Sequence, residues 1–145
     1  KRELLFLCVG VLRAEQLPYM DTTLAGGYTT KGLDAYVVVR FNGYAAQSAT
    51  IKSKNPAWFH EFWVPVLAPS CGQLVTIEVM DRDVVGRDEV IDTLTLPFDA
   101  LLAGTLPRLG WWHLYGPARP VEQPGRGGVL LGQLGARAAP KAQGA

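Results

Sequence analysis

Leu74-Val75-Thr76-Ile77-Glu78-Val79-Met80 decides the fold. Val75, Ile77 and Val79 alternate with Thr76 and Glu78, so an extended chain has one apolar and one wetted face. Working outward, seven further runs have strand composition: Leu4–Val11, Ala35–Phe41, Ala45–Lys52, Phe59–Val66, Val90–Leu96, Trp111–Tyr115 and Gly128–Leu134. Turn signals separate them. Asn42-Gly43 is a hairpin dipeptide, and Asn55-Pro56, Pro69-Ser70-Cys71-Gly72 and Gly116-Pro117 mark other reversals. One short helix is expected at Asp99–Leu102, with Asp99 as its N-cap. Eight strands at this spacing predict an all-β fold, a sandwich of two antiparallel sheets. Asp21–Leu33 reads as a long loop and Arg119–Gly127 as an irregular Pro/Gly-rich one. The expected domain is 3–135, with 136–145 a disordered tail or linker.

The chain has 145 residues, 48% hydrophobic and 19% charged, which fits one globular domain. No apolar stretch approaches a membrane span. Lys1 follows no signal-peptide pattern, so the chain reads as a piece of a larger intracellular protein. Cys8 and Cys71 are too few for a disulfide framework, and with His60 and His113 they lack zinc-ligand spacing. Nucleophile-elbow, phosphate-loop and zinc-protease patterns are missing, so no enzyme is expected. The net charge of +1 argues against a nucleic-acid partner, but it is unevenly spread. Residues 1–107 carry 9 basic and 12 acidic side chains, and residues 108–145 carry 5 and 1.

The acids gather. Asp81 and Asp83 lie two apart at the end of the decisive strand, so both carboxylates can face one point. Asp88 and Glu89 follow a loop in which Gly86 supplies backbone freedom. Crowded carboxylates repel, and a hard cation relieves them; calcium takes 6–8 oxygen ligands in flexible geometry. Asp21 and Asp34 bound the long loop and can join the cluster if both loops share one end of the sandwich. The competing reading is of solvated loop acids paired with Arg82 and Arg87.

Leu17-Pro18-x-Met20-Asp21, Leu33-Asp34-Ala35-Tyr36-Val37-Val38-Val39, Asn55-Pro56-x-Trp58-x-x-Glu61-Phe62 and Asp81-x-Asp83 together resemble the C2 domain. Trp112-His113-Leu114-Tyr115-Gly116-Pro117 and the later Gly128-Val129-Leu130-Leu131 look like the closing strands of ferlin C2 domains. So does the insertion between Asp21 and Asp34. The resemblance implies an eight-stranded antiparallel β-sandwich, of the variant called type II, with Ca2+ held at one end. It assigns the ligand positions to Asp21, Asp34, Asp81, Asp83 and Glu89, with Asp88 beside them. Glu89 stands where Asp is usual, Ala35 replaces a common proline, and Asp92 stands where a small residue is common.

Such a site is an electrostatic switch: its empty loops repel an anionic phospholipid membrane, and bound calcium reverses the sign. Val84 and Val85 at the third-loop tip, with Tyr19, Met20 and Leu24 by the first, would enter the membrane surface. Arg40, Lys52 and Lys54 are candidates for a lipid head group, or else solvated edge residues. Trp58, Phe62, Trp63, Trp111 and Trp112 are expected in core and rim packing. The expected function is a calcium-dependent phospholipid-binding module on the cytoplasmic face of membranes, in a ferlin-like trafficking or fusion protein. The alternative is a calcium-independent module packing on other domains of the same chain or on a protein partner. The isolated domain is expected to be monomeric.

Overall fold

The computed structural model describes residues 1–18, 22–24, 27–29, 33–83, 86–116 and 127–138. Each of the eight expected runs contains strand, one of them as two short pieces. β1 (Glu3–Glu15), β7 (Ala57–Ala68), β10 (Leu109–His113) and β11 (Gly128–Ala138) form one antiparallel sheet in the order β10-β11-β1-β7. β4 (Asp34–Phe41), β5 (Tyr44–Gln47), β8 (Leu74–Asp81) and β9 (Glu89–Pro97) form the other, in the order β5-β4-β8-β9, and β6 (Ile51–Lys52) pairs with β4. The strand that opens the chain thus lies in mid-sheet, between β7 and the last strand.

The alternation read from Leu74–Met80 is borne out. Val75, Ile77 and Val79 are fully buried and meet Val37 and Val39 of β4. Leu7, Val9 and Val11 of β1, Phe62 and Val64 of β7, and Val129 and Leu131 of β11 close the core from the other sheet. Each such side chain contributes roughly 1.5–3 kcal/mol on burial. Asn42 and Gly43 both take positive φ, 47° and 83°, as the tight hairpin between β4 and β5 requires.

Several boundaries differ from expectation. β1 runs on to Glu15 because pairing with both β7 and β11 outweighs the polar side chains of Arg13 and Glu15. β11 continues to Ala138, so the expected tail begins inside a strand; Ala136, Arg137 and Ala138 pair with Leu7, Phe6 and Leu5. The single run Ala45–Lys52 is split into β5 and β6. Within the segment read as a loop, β2 (Thr22–Leu24) and β3 (Gly27–Thr29) pair as a small ribbon. The helix, α1, spans Phe98–Ala103 with Pro97, not Asp99, at its N-cap; Asp99 sits in the first turn. Phe62 is buried and Trp58 and Trp112 pack partly against the core, but Trp63 and Trp111 are exposed on the outer face of the first sheet.

β4 and β9 leave the same end of the sandwich, where β8 arrives. That end therefore gathers Asp34, Asp81 and Glu89. The opposite end carries the Asn42-Gly43 turn, the Ser70–Gly72 turn and α1.

Candidate functional site

The site is built on three adjacent strand ends. Ala35 pairs with Asp81, and Asp81 pairs with Glu89, so Asp34, Asp81 and Glu89 lie side by side across β4, β8 and β9. Backbone groups tie them. The Asp34 N–H donates to Asp81 Oδ1 at 3.0 Å, and the Arg82 N–H donates to the Asp34 carbonyl at 2.8 Å. Lys52 stands opposite Asp34 across β6.

Beyond β8, Asp83 and Asp88 are tied to each other and to β4. The Asp83 N–H donates to Asp88 Oδ1 at 2.9 Å, and the Tyr36 hydroxyl donates to Asp88 Oδ2 at 2.5 Å. The Arg82 guanidinium lies over the Tyr36 ring, 4.9 Å from its centroid. Gly86 makes the reversal at φ 115°, a conformation that L side chains rarely adopt. Hydrogen bonds from Tyr36 and then from the Asp83 amide hold the Asp88 carboxyl below its ordinary value. Burial first, then the bond to Asp88, pushes the Tyr36 phenol up to about 12.

Both Asp88 oxygens are thus engaged by the protein, and Asp88 braces the loop that carries Asp83. Tyr36 was missed as a site residue. Its signal was available: it lies two residues after Asp34, on the outward face of a strand whose inward face is Ala35, Val37 and Val39. With Val38 and Met80 it forms a small buried cluster outside the main core. Asp92, noted in the sequence only as an unusual acid, is buried on β9, and a Cβ on Gly127 would lie 3.1 Å from its Oδ2.

Asp21, Tyr19, Met20, Val84 and Val85 lie outside the described residues. Leu24 is placed only as backbone, in β2. Among the described residues, no three His, Cys, Asp or Glu side chains stand in a metal-ligating group. What the described acids provide is a frame of hard carboxylate oxygens at one end of the sandwich, the donor chemistry suited to calcium.

The three basic candidates do not form one patch. Arg40 is near the far end of β4, six residues or about 20 Å from Asp34. Its Nε is 3.1 Å from Glu78 Oε2 in an ion pair. Lys52 and Lys54 are at the acidic end, beside Asp34 and the Asn55-Pro56 turn. Among the described residues, no helix is long and apolar enough to cross a membrane.

The chain matches the C2 domain family over residues 6–114. It is 30% identical over 110 residues to Ras GTPase-activating protein 4 of Mus musculus, covering 74% of this chain and 13% of that protein. It is similar in structure to the paired C2 domains of extended-synaptotagmin 2, described as calcium bound, with a TM-score of 0.65 and 23% identity over 89% of this chain and 44% of that one. Human GIVD cytosolic phospholipase A2 gives a TM-score of 0.66 and 15% identity over 94% of this chain and 17% of that one. At these identities the structural likeness speaks for the fold. The chain spans about an eighth of the curated relative's length.

Proposed function

Since the chain belongs to the C2 domain family, whose members are membrane- and calcium-binding modules, we propose that it binds anionic phospholipid surfaces when calcium occupies the end of the sandwich that gathers Asp34, Asp81 and Glu89. The observation that carries this reading is the row itself: three carboxylate residues on neighbouring strand ends, with the Asp83 loop braced over them by Asp88 and Tyr36.

Asp34, Asp81, Asp83 and Glu89, with Asp21 from the first loop, would hold the ion; calcium would supply positive charge at a surface otherwise negative. Tyr36 and Asp88 hold the loop backbone, so the carboxylates arrive on a preset frame. Reversing the local sign changes attraction to an anionic leaflet by on the order of 1 kcal/mol per charge. The hydrophobic residues Val84, Val85, Tyr19, Met20 and Leu24 would add contact with the membrane surface beside the ion. Membranes present their anionic lipid on the cytoplasmic face, which is where this reading places the domain. The ferlin-like parent is part of the same proposal, supported by the Trp112–Pro117 and Gly128–Leu131 sequences.

Co-sedimentation with phosphatidylserine liposomes, with calcium and with chelator, tests the reading on the native chain and on an Asp81→Asn/Asp83→Asn variant. Calcium-dependent sedimentation of the native chain alone is expected. Identical binding in all four conditions would overturn the proposal.

A further inference from the structure

The outer face of the β10-β11-β1-β7 sheet is apolar where a free-standing sheet would be wet. Phe59 is 72% exposed, Leu109 64%, Trp111 48% and Trp63 44%. They are not scattered. Phe59 and Leu109 face each other across a groove of about 400 Å³ whose floor is Gly10 and Gly132. Gly10 is required for close approach: a Cβ there would sit 2.7 Å from the Gly132 carbonyl oxygen. With Gly10 and Gly132 bare and Leu12 lying beside them, the middle of the face is a shallow trough between a β7 ridge and a β10 ridge.

The chain distorts itself to build this trough. Val11 pairs with His60 and Arg13 with Ala57, so β7 carries an extra residue, a bulge, at this level. Phe59 takes φ 47° there, an uncommon conformation for a bulky side chain, and its ring points to solvent. Gln133, on the opposite side of the groove, also has positive φ, 53°. Two strained residues at one trough are the kind of outlier from which function is inferred.

Guanidinium groups outnumber carboxylates around it. Arg137 lies over the Trp63 ring at 5.4 Å, and Arg13 over the Trp111 ring at 5.3 Å, so both charges are held against the apolar surface. Arg108 lines the groove itself. Among the described residues, the acids on this face are Glu61, in the groove wall, and Glu15, 3.4 Å from Arg13.

We propose that this groove receives an amphipathic α-helix of a protein partner, apolar on one side and acidic along its flanks. β7 and β10 are three strand spacings apart, about 14 Å, and a helix with its side chains is about 10–12 Å across. From the level of Trp63, opposite Cys8, to that of Trp111, in line with Arg13, the apolar face runs about 17 Å, the length of roughly 11 helical residues. Apolar anchors at i, i+4 and i+7 would meet Phe59, Leu109 and the two indoles, while flanking carboxylates would meet the arginines. A bilayer would leave the trough unfilled and strand Glu61 without a donor. A second copy would bring arginine against arginine.

The test is selection of a randomised peptide-display library on the whole chain in chelator, followed by titration of the selected peptides against tryptophan emission, since Trp63 and Trp111 report directly from the face. Enriched sequences are expected to be helical when bound, apolar at i, i+4 and i+7, and acidic beside them. Binding should weaken at least tenfold in Phe59→Ser and in Arg13→Gln/Arg137→Gln, and should be unchanged in Asp81→Asn/Asp83→Asn. All these substitutions are at exposed groups or on the other sheet, and unchanged thermal melts would establish folding. The proposal is overturned by no enrichment, by basic or extended sequences, or by binding indifferent to Phe59→Ser and to the arginine changes. Quenching of Trp63 and Trp111 by brominated anionic vesicles in chelator would overturn it in favour of a membrane contact. Concentration-dependent dimerisation lost in Phe59→Ser would overturn it in favour of a second copy. None of these results bears on the calcium reading, which the liposome experiment decides separately.

Discussion

Trp58→Phe isolates one strut of the acidic end. The Trp58 indole N–H donates to the Ala35 carbonyl at 3.2 Å, joining β7 of one sheet to β4 of the other. Ala35 is fully buried and follows Asp34 directly. Phenylalanine keeps most of the apolar contact and loses only the donor. A lost hydrogen bond of this kind, with its acceptor left inside the protein, costs about 1–2 kcal/mol. For a chain of this size that lowers the melting midpoint by roughly 3–7 °C. Urea unfolding followed by tyrosine emission and by circular dichroism would read the change as a lower midpoint with an unchanged slope. Because the strut ends beside Asp34, calcium-dependent liposome binding should also need more calcium. A stability loss smaller than about 0.5 kcal/mol would refute the reasoning, since the bond would then contribute less than an ordinary surface contact.

Other expectations follow from single residues. Gly10→Ala should destabilise by at least about 1–3 kcal/mol in chemical denaturation, because its Cβ meets backbone, which cannot step aside. Phe59→Gly should change stability by less than about 1 kcal/mol, since relief of the positive φ offsets the lost ring and added chain entropy; urea melts would check it. The depressed Asp88 carboxyl contributes stability that is present above the ordinary Asp value and is lost as pH falls through its lower folded value. Tyr36→Phe should therefore flatten the acid limb of a stability–pH profile. The Tyr36 phenol, raised to about 12, contributes stability that is present below pH 10 and is lost as pH rises toward 12; absorbance titration should show one late tyrosine that Asp88→Asn brings earlier.

The sequence reached the fold through local rules that tertiary packing leaves intact. Val75, Ile77 and Val79 alternate because one sheet face is buried, and Asn42-Gly43 turns because both residues tolerate positive φ. Asp34, Asp81 and Glu89 were legible as a cluster for the same reason: they sit at the ends of strands that could be counted. What escaped depends on partners distant in the chain. Ala136–Ala138 has little strand character alone and becomes strand because β1 lies alongside. Trp63 reads as core by its chemistry, yet the strand's alternation puts Phe62 and Val64 inside and turns Trp63 out. The Phe59 bulge exists only in the register between β7 and β1. The Tyr36–Asp88 hydrogen bond escaped too, since its partners lie 52 positions apart.

The two cysteines differ in a way that makes the domain measurable. Cys8 is fully buried in β1, and burial pushes its thiol up, so it resists alkylation in the folded state. Cys71 is exposed, in the turn between β7 and β8, at the end of the sandwich away from Asp34, Asp81 and Glu89. The natural sequence thus accepts a single maleimide dye at the pole far from the acidic row. Energy transfer from that dye to acceptor-labelled vesicles would report whether the domain stands on its acidic end or lies along its side, without any substitution in the chain.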